Sequence, residues 1–195
     1  MLPKEEKTYV MIKPDGVARG LIGEIISRFE RRGLKIIALA MEKPTREKVD
    51  GHYPKDPVWI ERLGHKTLKG YEKYNIDAIK MHGTDNPSEI GKFVRSWLLD
   101  FMISGPVVKM VIQGIHSVDM VRKICGETMP YLAQIGTIRG DYSIDSPAAA
   151  NKDQRSVYNI VHASETREEA DHEISFWFTN DQMYEYKRSE EGIAY

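Results

Sequence analysis

Cysteine is almost absent: Cys125 stands alone in 195 residues, which excludes an intramolecular disulfide and a Cys-rich zinc site. Neither charge is in excess, since 28 Lys and Arg face 29 Asp and Glu for a net charge of −1. That balance argues against a protein whose main task is to neutralise a nucleic-acid or anionic-lipid backbone. Long hydrophobic runs are missing as well. The longest stretch without Asp, Glu, Lys or Arg is Thr128 to Ile138, 11 residues, whereas a membrane span needs roughly 20. The opening segment, Met1 to Lys7, has no apolar core and does not read as a secretory signal. Common chemical signatures also fail. There is no Gly-x-x-x-x-Gly-Lys-Ser/Thr, no Gly-x-Gly-x-x-Gly, no His-Glu-x-x-His and no Gly-x-Ser-x-Gly, which sets aside a Walker-type NTPase, a Rossmann dehydrogenase and a zincin. Together these absences predict a soluble, cytoplasmic protein with no membrane partner.

What is present suffices for a real core: 41% hydrophobic residues, with 5 Phe, 10 Tyr and 3 Trp. The length predicts one domain over residues 1–195. Thr8 to Ile12 reads as a strand, and Lys13-Pro14-Asp15-Gly16 as a turn. Leu21, Ile22, Ile25, Ile26 and Phe29 make a helical stripe that stops at Gly33. Leu34 to Met41 reads as a buried strand, and Thr45 as the cap of a short helix reaching His52 and Tyr53. Residues 54–88, with several Pro and Gly, look like an insertion of short helical pieces. Ser88 is placed as the cap of a helix carrying Ile90, Phe93, Val94, Trp97 and Phe101. Val107 to Ile112 is a third strand, and Ser117 opens a helix stopped by Gly126. The stretch 127–156 reads as irregular, with an extended loop at about 143–156. Val157 to Val161 is a fourth strand with His162 at its end. Thr166 with Glu169 makes a capping box for a helix through Ala170, Ile174 and Trp177, and the tail after Phe178 is polar and tyrosine-rich. Four strands interleaved with helices predict a ferredoxin-like α/β (α+β) βαββαβ sandwich with a four-stranded antiparallel sheet.

Polar residues gather at the element ends. Lys13 closes the first strand, His52 and Tyr53 end a helix, and Arg122 lies on a helix leading to Thr128. Arg139 follows Gly136-Thr137-Ile138, and Asn159 precedes His162 by three. Cations, hydroxyls, an amide and an imidazole suit a polyphosphate site. Singly, each has a plainer reading: Lys13 and Arg122 as solvated charges, His162 as a strand cap, Tyr53 and Trp97 as packing residues. No metal-like spacing links His52, His65, His82, His116 and His172.

Their order carries more. Lys13-Pro14-Asp15-Gly16-Val17-x-Arg19-Gly20-Leu21-x-Gly23-Glu24-Ile25 comes first, followed by His52-Tyr53, Ser104-Gly105-Pro106-Val107 and Gly126-Glu127-Thr128. Gly136-Thr137-Ile138-Arg139-Gly140-Asp141 and Asn159-x-x-His162-Ala163-Ser164-Glu165 complete the series. This series resembles the nucleoside diphosphate kinase family from about Thr8 to Phe178, outside residues 54–88 and part of 143–156. The resemblance implies reversible, ping-pong transfer of the terminal phosphate from nucleoside triphosphates, mainly ATP, to nucleoside diphosphates through a phosphohistidine. By that resemblance His162 is the nucleophile and Glu173 fixes the other ring nitrogen. Imidazole suits the role, being largely neutral and nucleophilic near pH 7. Lys13 serves catalysis and phosphate binding, while Tyr53, Arg122, Thr128, Arg139 and Asn159 surround the phosphates and ribose. Ser164 supports the imidazole. Phe93 or Val94 matches the position that stacks on the base. The family resemblance further implies Mg²⁺ carried by the nucleotide phosphates, with no protein metal site, and a homo-oligomer, either hexamer or tetramer.

Ala163 and Glu165 replace the family's Gly and Asp after the histidine. The former adds a methyl group and the latter keeps the charge, so neither removes a chemical role. Two other functions compete with this one. A nucleic-acid-binding ferredoxin-like module would show a Lys/Arg-Gly-Phe/Tyr-Gly/Ala-Phe signature, which is absent. A catalytically silent, nucleotide-sensing or interaction protein of the same fold would have no need for Lys13, His162 and Glu173 together.

Overall fold

The computed structural model describes residues 5–189. Residues 1–4 of the opening segment and 190–195 of the tyrosine-rich tail lie outside the described residues. In chain order come β1 (Glu6–Ile12), α1 (Pro14–Ala18), α2 (Ile22–Arg31) and β2 (Lys35–Glu42). Then follow α3 (Arg46–His52), α4 (Pro57–Lys73), α5 (Ala78–His82), α6 (Pro87–Ile103) and β3 (Val107–Gly114). The remainder is α7 (Ser117–Cys125), α8 (Ile138–Tyr142), α9 (Pro147–Lys152), β4 (Val161–Ala163) and α10 (Arg167–Trp177), with 3₁₀ turns at Pro130–Leu132 and Asn180–Gln182. The chain divides into two compact units. One holds residues up to 43, 106–144 and from 159 on; the other holds 44–105 and 145–158.

In the first unit the four strands form one sheet in the order β2-β3-β1-β4, every pair antiparallel. That is the ferredoxin-like arrangement read from the sequence. Side chains alternate across the sheet. Val10 and Ile12 of β1, with Val108, Met110 and Ile112 of β3, pack against Ile25 and Phe29 of α2 and Val121 of α7. The opposite face takes α10, where Trp177 stacks on Tyr9 with ring centroids 6.0 Å apart. Lys109 of β3 is buried on that face, donating to the Trp177 carbonyl (2.8 Å) and pairing with Glu42 (2.7 Å). Past α10 the tail runs along β2: Tyr184 N–H donates to the Ile37 carbonyl (2.8 Å) and Arg188 Nη1 to that of Leu34 (2.7 Å). These bonds occupy polar groups that an edge strand otherwise leaves unpaired.

The second unit is built on α4 and α6. Asp56 caps α4 with both carboxylate oxygens, which accept from Val58 N–H (3.2 Å) and Trp59 N–H (3.3 Å), and Pro57 occupies the first turn. The two helices cross so closely that a Cβ on Gly64 would lie 1.7 Å from the Pro87 carbonyl oxygen. Tyr71 is buried, its hydroxyl 2.8 Å from His82 Nε2.

Several expectations need correction. Residues 54–88 hold a helix of 17 residues, α4, rather than short pieces; Gly64, which reads as loop punctuation, is instead a crossing point. The cap of α6 is Asn86, whose side chain accepts from Glu89 N–H (3.2 Å), and not Ser88. Lys13-Pro14-Asp15-Gly16 does not end in a turn but opens α1. The stretch 127–156 contains α8 and α9, capped by Thr137 and Ser146. Strand β2 is only half covered, since Leu39 and Met41 are exposed. Finally, β4 spans Val161–Ala163, with His162 inside it and paired with Met11, instead of ending before His162.

Candidate active site

The side chains that meet around Lys13 and His162, and the cleft they line, belong to the first unit. Strand β1 delivers Lys13 to the sheet's end, where its Nζ donates to Asn159 Oδ1 at 2.7 Å. Asn159 Nδ2 in turn donates to the Thr128 carbonyl (3.0 Å). Lys13 is buried, and that burial, reinforced by Arg139 and opposed by Asp15, lowers its pKa to about 8. Arg139 is buried too. It donates from Nε to the Asn159 carbonyl (3.3 Å), from Nη1 to that of Gly126 (2.5 Å) and from Nη2 to that of Val161 (2.8 Å). Loss of solvent pulls its pKa below the ordinary guanidinium value. One side chain on α8 thus ties together the end of α7 and the segment leading into β4.

That segment is unusual. Ile160 has φ 70°, a left-handed conformation that a β-branched residue avoids. Val161 N–H donates back to the Asn159 carbonyl at 2.7 Å, closing a tight three-residue turn. Such a conformation costs on the order of 1–3 kcal/mol and persists only where the surroundings impose it. It also explains why β4 starts late: the backbone reverses at Ile160, so the apolar run from Val157 cannot continue as one strand.

Beyond the turn, His162 Nε2 lies 2.7 Å from Glu173 Oε1, on α10. The other oxygen of Glu173 accepts from Ser164 Oγ at 2.6 Å. Both Glu173 and Ser164 are buried, so the carboxylate has two fixed partners. With Nε2 held against an acceptor, a neutral imidazole carries its proton on Nε2 and its lone pair on Nδ1. The Tyr9 ring lies 6.0 Å from that of His162.

Lys13, Arg122, Thr128, Arg139, Asn159 and His162 line one cleft of about 780 Å³. Arg122 is exposed there and pairs loosely with Glu165 (3.8 Å). Asp119, Glu127 and Glu169 also border it. Tyr53, Phe93 and Val94 belong to the second unit. Tyr53 ends α3 and its carbonyl accepts from Arg95 (3.3 Å), while Phe93 stacks on His82 with ring centroids 5.5 Å apart. Sequence reasoning missed Asp15 and Ile160. Asp15 was visible only as a turn residue, and nothing in the letters around Ile160 marks a left-handed backbone.

The burial of Lys13 has a measurable consequence. Its pKa near 8 in the fold lies below the 10.5 of an exposed lysine, so between those pH values the unfolded chain binds more protons and stability rises with pH. The gain is about 3 kcal/mol for a shift of this size. Urea unfolding of the wild type and Lys13→Met at pH 7.5 and 10.5 should show their stability difference moving by that amount in favour of the wild type. A difference that stays constant contradicts the burial of a charged Lys13.

A ferredoxin-like sheet whose edge strand presents a carboxylate-held imidazole to a cleft with buried cations defines a protein of the phosphate-handling class. The comparisons agree. The family model for nucleoside diphosphate kinase matches residues 6–58 and 87–183. A nucleoside diphosphate kinase of Pyrobaculum aerophilum is 49% identical over 180 residues, 92% of this chain and 98% of its own. The crystal structure of an NDP kinase from that organism superposes with a TM-score of 0.89 at 48% identity, covering 93% of this chain and 100% of that one. A transition-state mimic of the Borrelia burgdorferi nucleoside-diphosphate kinase, with bound vanadate and ADP, gives 0.76 at 36% identity, over 95% of this chain and 94% of that one. The chain belongs to the nucleoside diphosphate kinase family.

Proposed function

We propose that this chain moves the terminal phosphate of a nucleoside triphosphate to a nucleoside diphosphate in two steps, with His162 as the carrier. The observation that supports this most is the 2.7 Å bond between His162 Nε2 and buried Glu173, which orients the ring for attack through Nδ1. In the first step Nδ1 attacks the γ-phosphorus, the bond to the β,γ-bridging oxygen breaks, and the nucleoside diphosphate leaves with the electron pair. In the second, a terminal oxygen of another diphosphate attacks the same phosphorus and the N–P bond breaks. Such transfer gains mainly from positioning and from offsetting charge on the phosphoryl oxygens. Lys13, Arg122 and Arg139 offset that charge in this reading, Thr128 offers a hydroxyl, and Asn159 holds the Lys13 ammonium in place.

Mg²⁺ fits this reading as part of the nucleotide substrate, where it would lower the charge on the phosphate oxygens that Lys13, Arg122 and Arg139 address. Residues 1–195 are read as one kinase domain with an insertion; the family model passes over 59–86 and matches residues of both units. Cys125 is a buried thiol whose pKa is pushed up to about 11 by burial, so it stays protonated and takes no part in the chemistry. A homo-oligomer, hexamer or tetramer, is supported by exposed apolar side chains at Leu39, Met41, Tyr131, Leu132 and Ile135. Light scattering should give a multiple of 22.4 kDa; a monomeric mass at micromolar concentration would contradict it.

The two-step mechanism is tested by mixing enzyme with ATP and Mg²⁺ in the absence of any acceptor. A burst of ADP, one per active site, should appear, and later addition of a second nucleoside diphosphate should convert it to the triphosphate without further ATP. ADP release that requires the acceptor to be present would point to direct transfer and sink the carrier role.

A further inference from the structure

Both peptide groups around Ile160 are held by the segment that follows β1. Its N–H donates to Asp15 Oδ2 at 3.0 Å, and its carbonyl accepts from Lys13 N–H at 2.7 Å. The other carboxylate oxygen, Asp15 Oδ1, is buried and makes no hydrogen bond. The carboxylate also meets the backbone amides of Asp15 and Gly16 beside it, so the Ile160 amide is the one it holds across from a segment distant in sequence. Gly16 lets α1 come near enough for that: a Cβ there would lie 2.8 Å from Ile12 Cγ2, 3.0 Å from Ile160 Cγ2 and 3.1 Å from the Ile160 carbonyl oxygen. On one side of the turn stands Asn159, bonded to Lys13; on the other, two residues on, stands His162.

We propose that Asp15 is a positioning residue whose carboxylate locks Ile160 in its left-handed turn and thereby sets His162 against Lys13 and Asn159. The inference rests on the reading of His162 as the phosphate carrier. Without the carboxylate, the Ile160 N–H is buried with no acceptor. The backbone then loses one of the restraints, beside those from Lys13 N–H and Arg139, that keep a β-branched residue at positive φ. A small rotation at Ile160 swings Val161 and His162, and misplacement of a nucleophile by about 1 Å can cost about 100-fold in rate.

The test compares wild type, Asp15→Asn and Asp15→Ala by rapid-quench phosphorylation from γ-labelled ATP, with thermal melting alongside. Asp15→Asn keeps an oxygen acceptor for the Ile160 N–H and should label within about 5-fold of wild type, whereas Asp15→Ala should label at least about 30-fold more slowly with KM for ATP nearly unchanged. Hydrogen exchange should follow the same order, the Ile160 amide being protected in the wild type and Asp15→Asn and exposed in Asp15→Ala. A role in stability alone would lower melting temperature without splitting kcat from KM. Should Asp15→Ala not fold, Gly16→Ala presses on the same turn from α1 and should slow labelling likewise. Labelling of a folded Asp15→Ala at the wild-type rate overturns the proposal. So does Asp15→Asn as slow as Asp15→Ala, or, where Gly16→Ala stands in, wild-type labelling by that variant. A wild-type protein that takes no label overturns the carrier reading itself, and this proposal with it.

Discussion

His162→Ala should lower turnover by about four orders of magnitude or more, since in the proposed mechanism it removes the atom that takes up the phosphate. Binding should survive. Lys13, Arg122 and Arg139 line the same cleft, and none depends on the imidazole for its hydrogen bonds. The fold should survive as well, because Glu173 keeps its 2.6 Å bond from Ser164; losing one partner from a buried carboxylate costs about 1–3 kcal/mol. Coupled turnover assays and ATP titration of the variant separate the two effects. Turnover above about 1% of wild type would place the chemistry on another group, since a lost nucleophile leaves far less.

Arg139→Ala should produce the second large effect, on stability and activity together. Three carbonyls, those of Gly126, Asn159 and Val161, lose a charged donor at once. Breaking one partner of a buried charged network of this kind costs about 3–5 kcal/mol, read as a lower urea midpoint. Activity should fall by about 100- to 1000-fold, as when one preorganised donor is removed. Arg139→Lys should recover little of either, because a single ammonium cannot span three carbonyls that the planar fork reaches together. A stability loss below about 1 kcal/mol, the scale of a surface substitution, would show that Arg139 does not hold the turn.

Much of this was legible in the chain. Strand β1 is a run of buried residues from Thr8 to Ile12. The cap of α10, Thr166, does accept from Glu169 N–H (3.1 Å), although Glu169 returns its bond to Glu165 N–H (2.5 Å) rather than closing a box on Thr166. Local rules of that kind reach three or four residues; they located β1, β2 and β3 with helices α2, α3, α6, α7 and α10, and missed α1, α8, α9 and the true extent of α4 and β4. The site was legible differently, through the ordered motifs from Lys13 to His162, which say which residues recur but not how they meet. What remained hidden depends on partners distant in sequence. The left-handed turn at Ile160 is imposed by Lys13, Asp15 and Arg139. The depressed pKa of Lys13 follows from burial and from Arg139. Gly64 reads as a breaker until Pro87 is seen against it. In each case tertiary contact overrides local preference.

In the proposed mechanism phosphate rests on His162 between two nucleotides. The direct measurement is to incubate the protein with γ-labelled ATP and Mg²⁺, digest it under alkaline conditions and map the labelled peptide by mass spectrometry. If His162 carries the phosphate, the protein holds one label, on His162, lost in acid and stable in base as a phosphoramidate is, and discharged by any added nucleoside diphosphate. A label on a hydroxyl side chain, stable in acid, or a label that persists in His162→Ala, would contradict it.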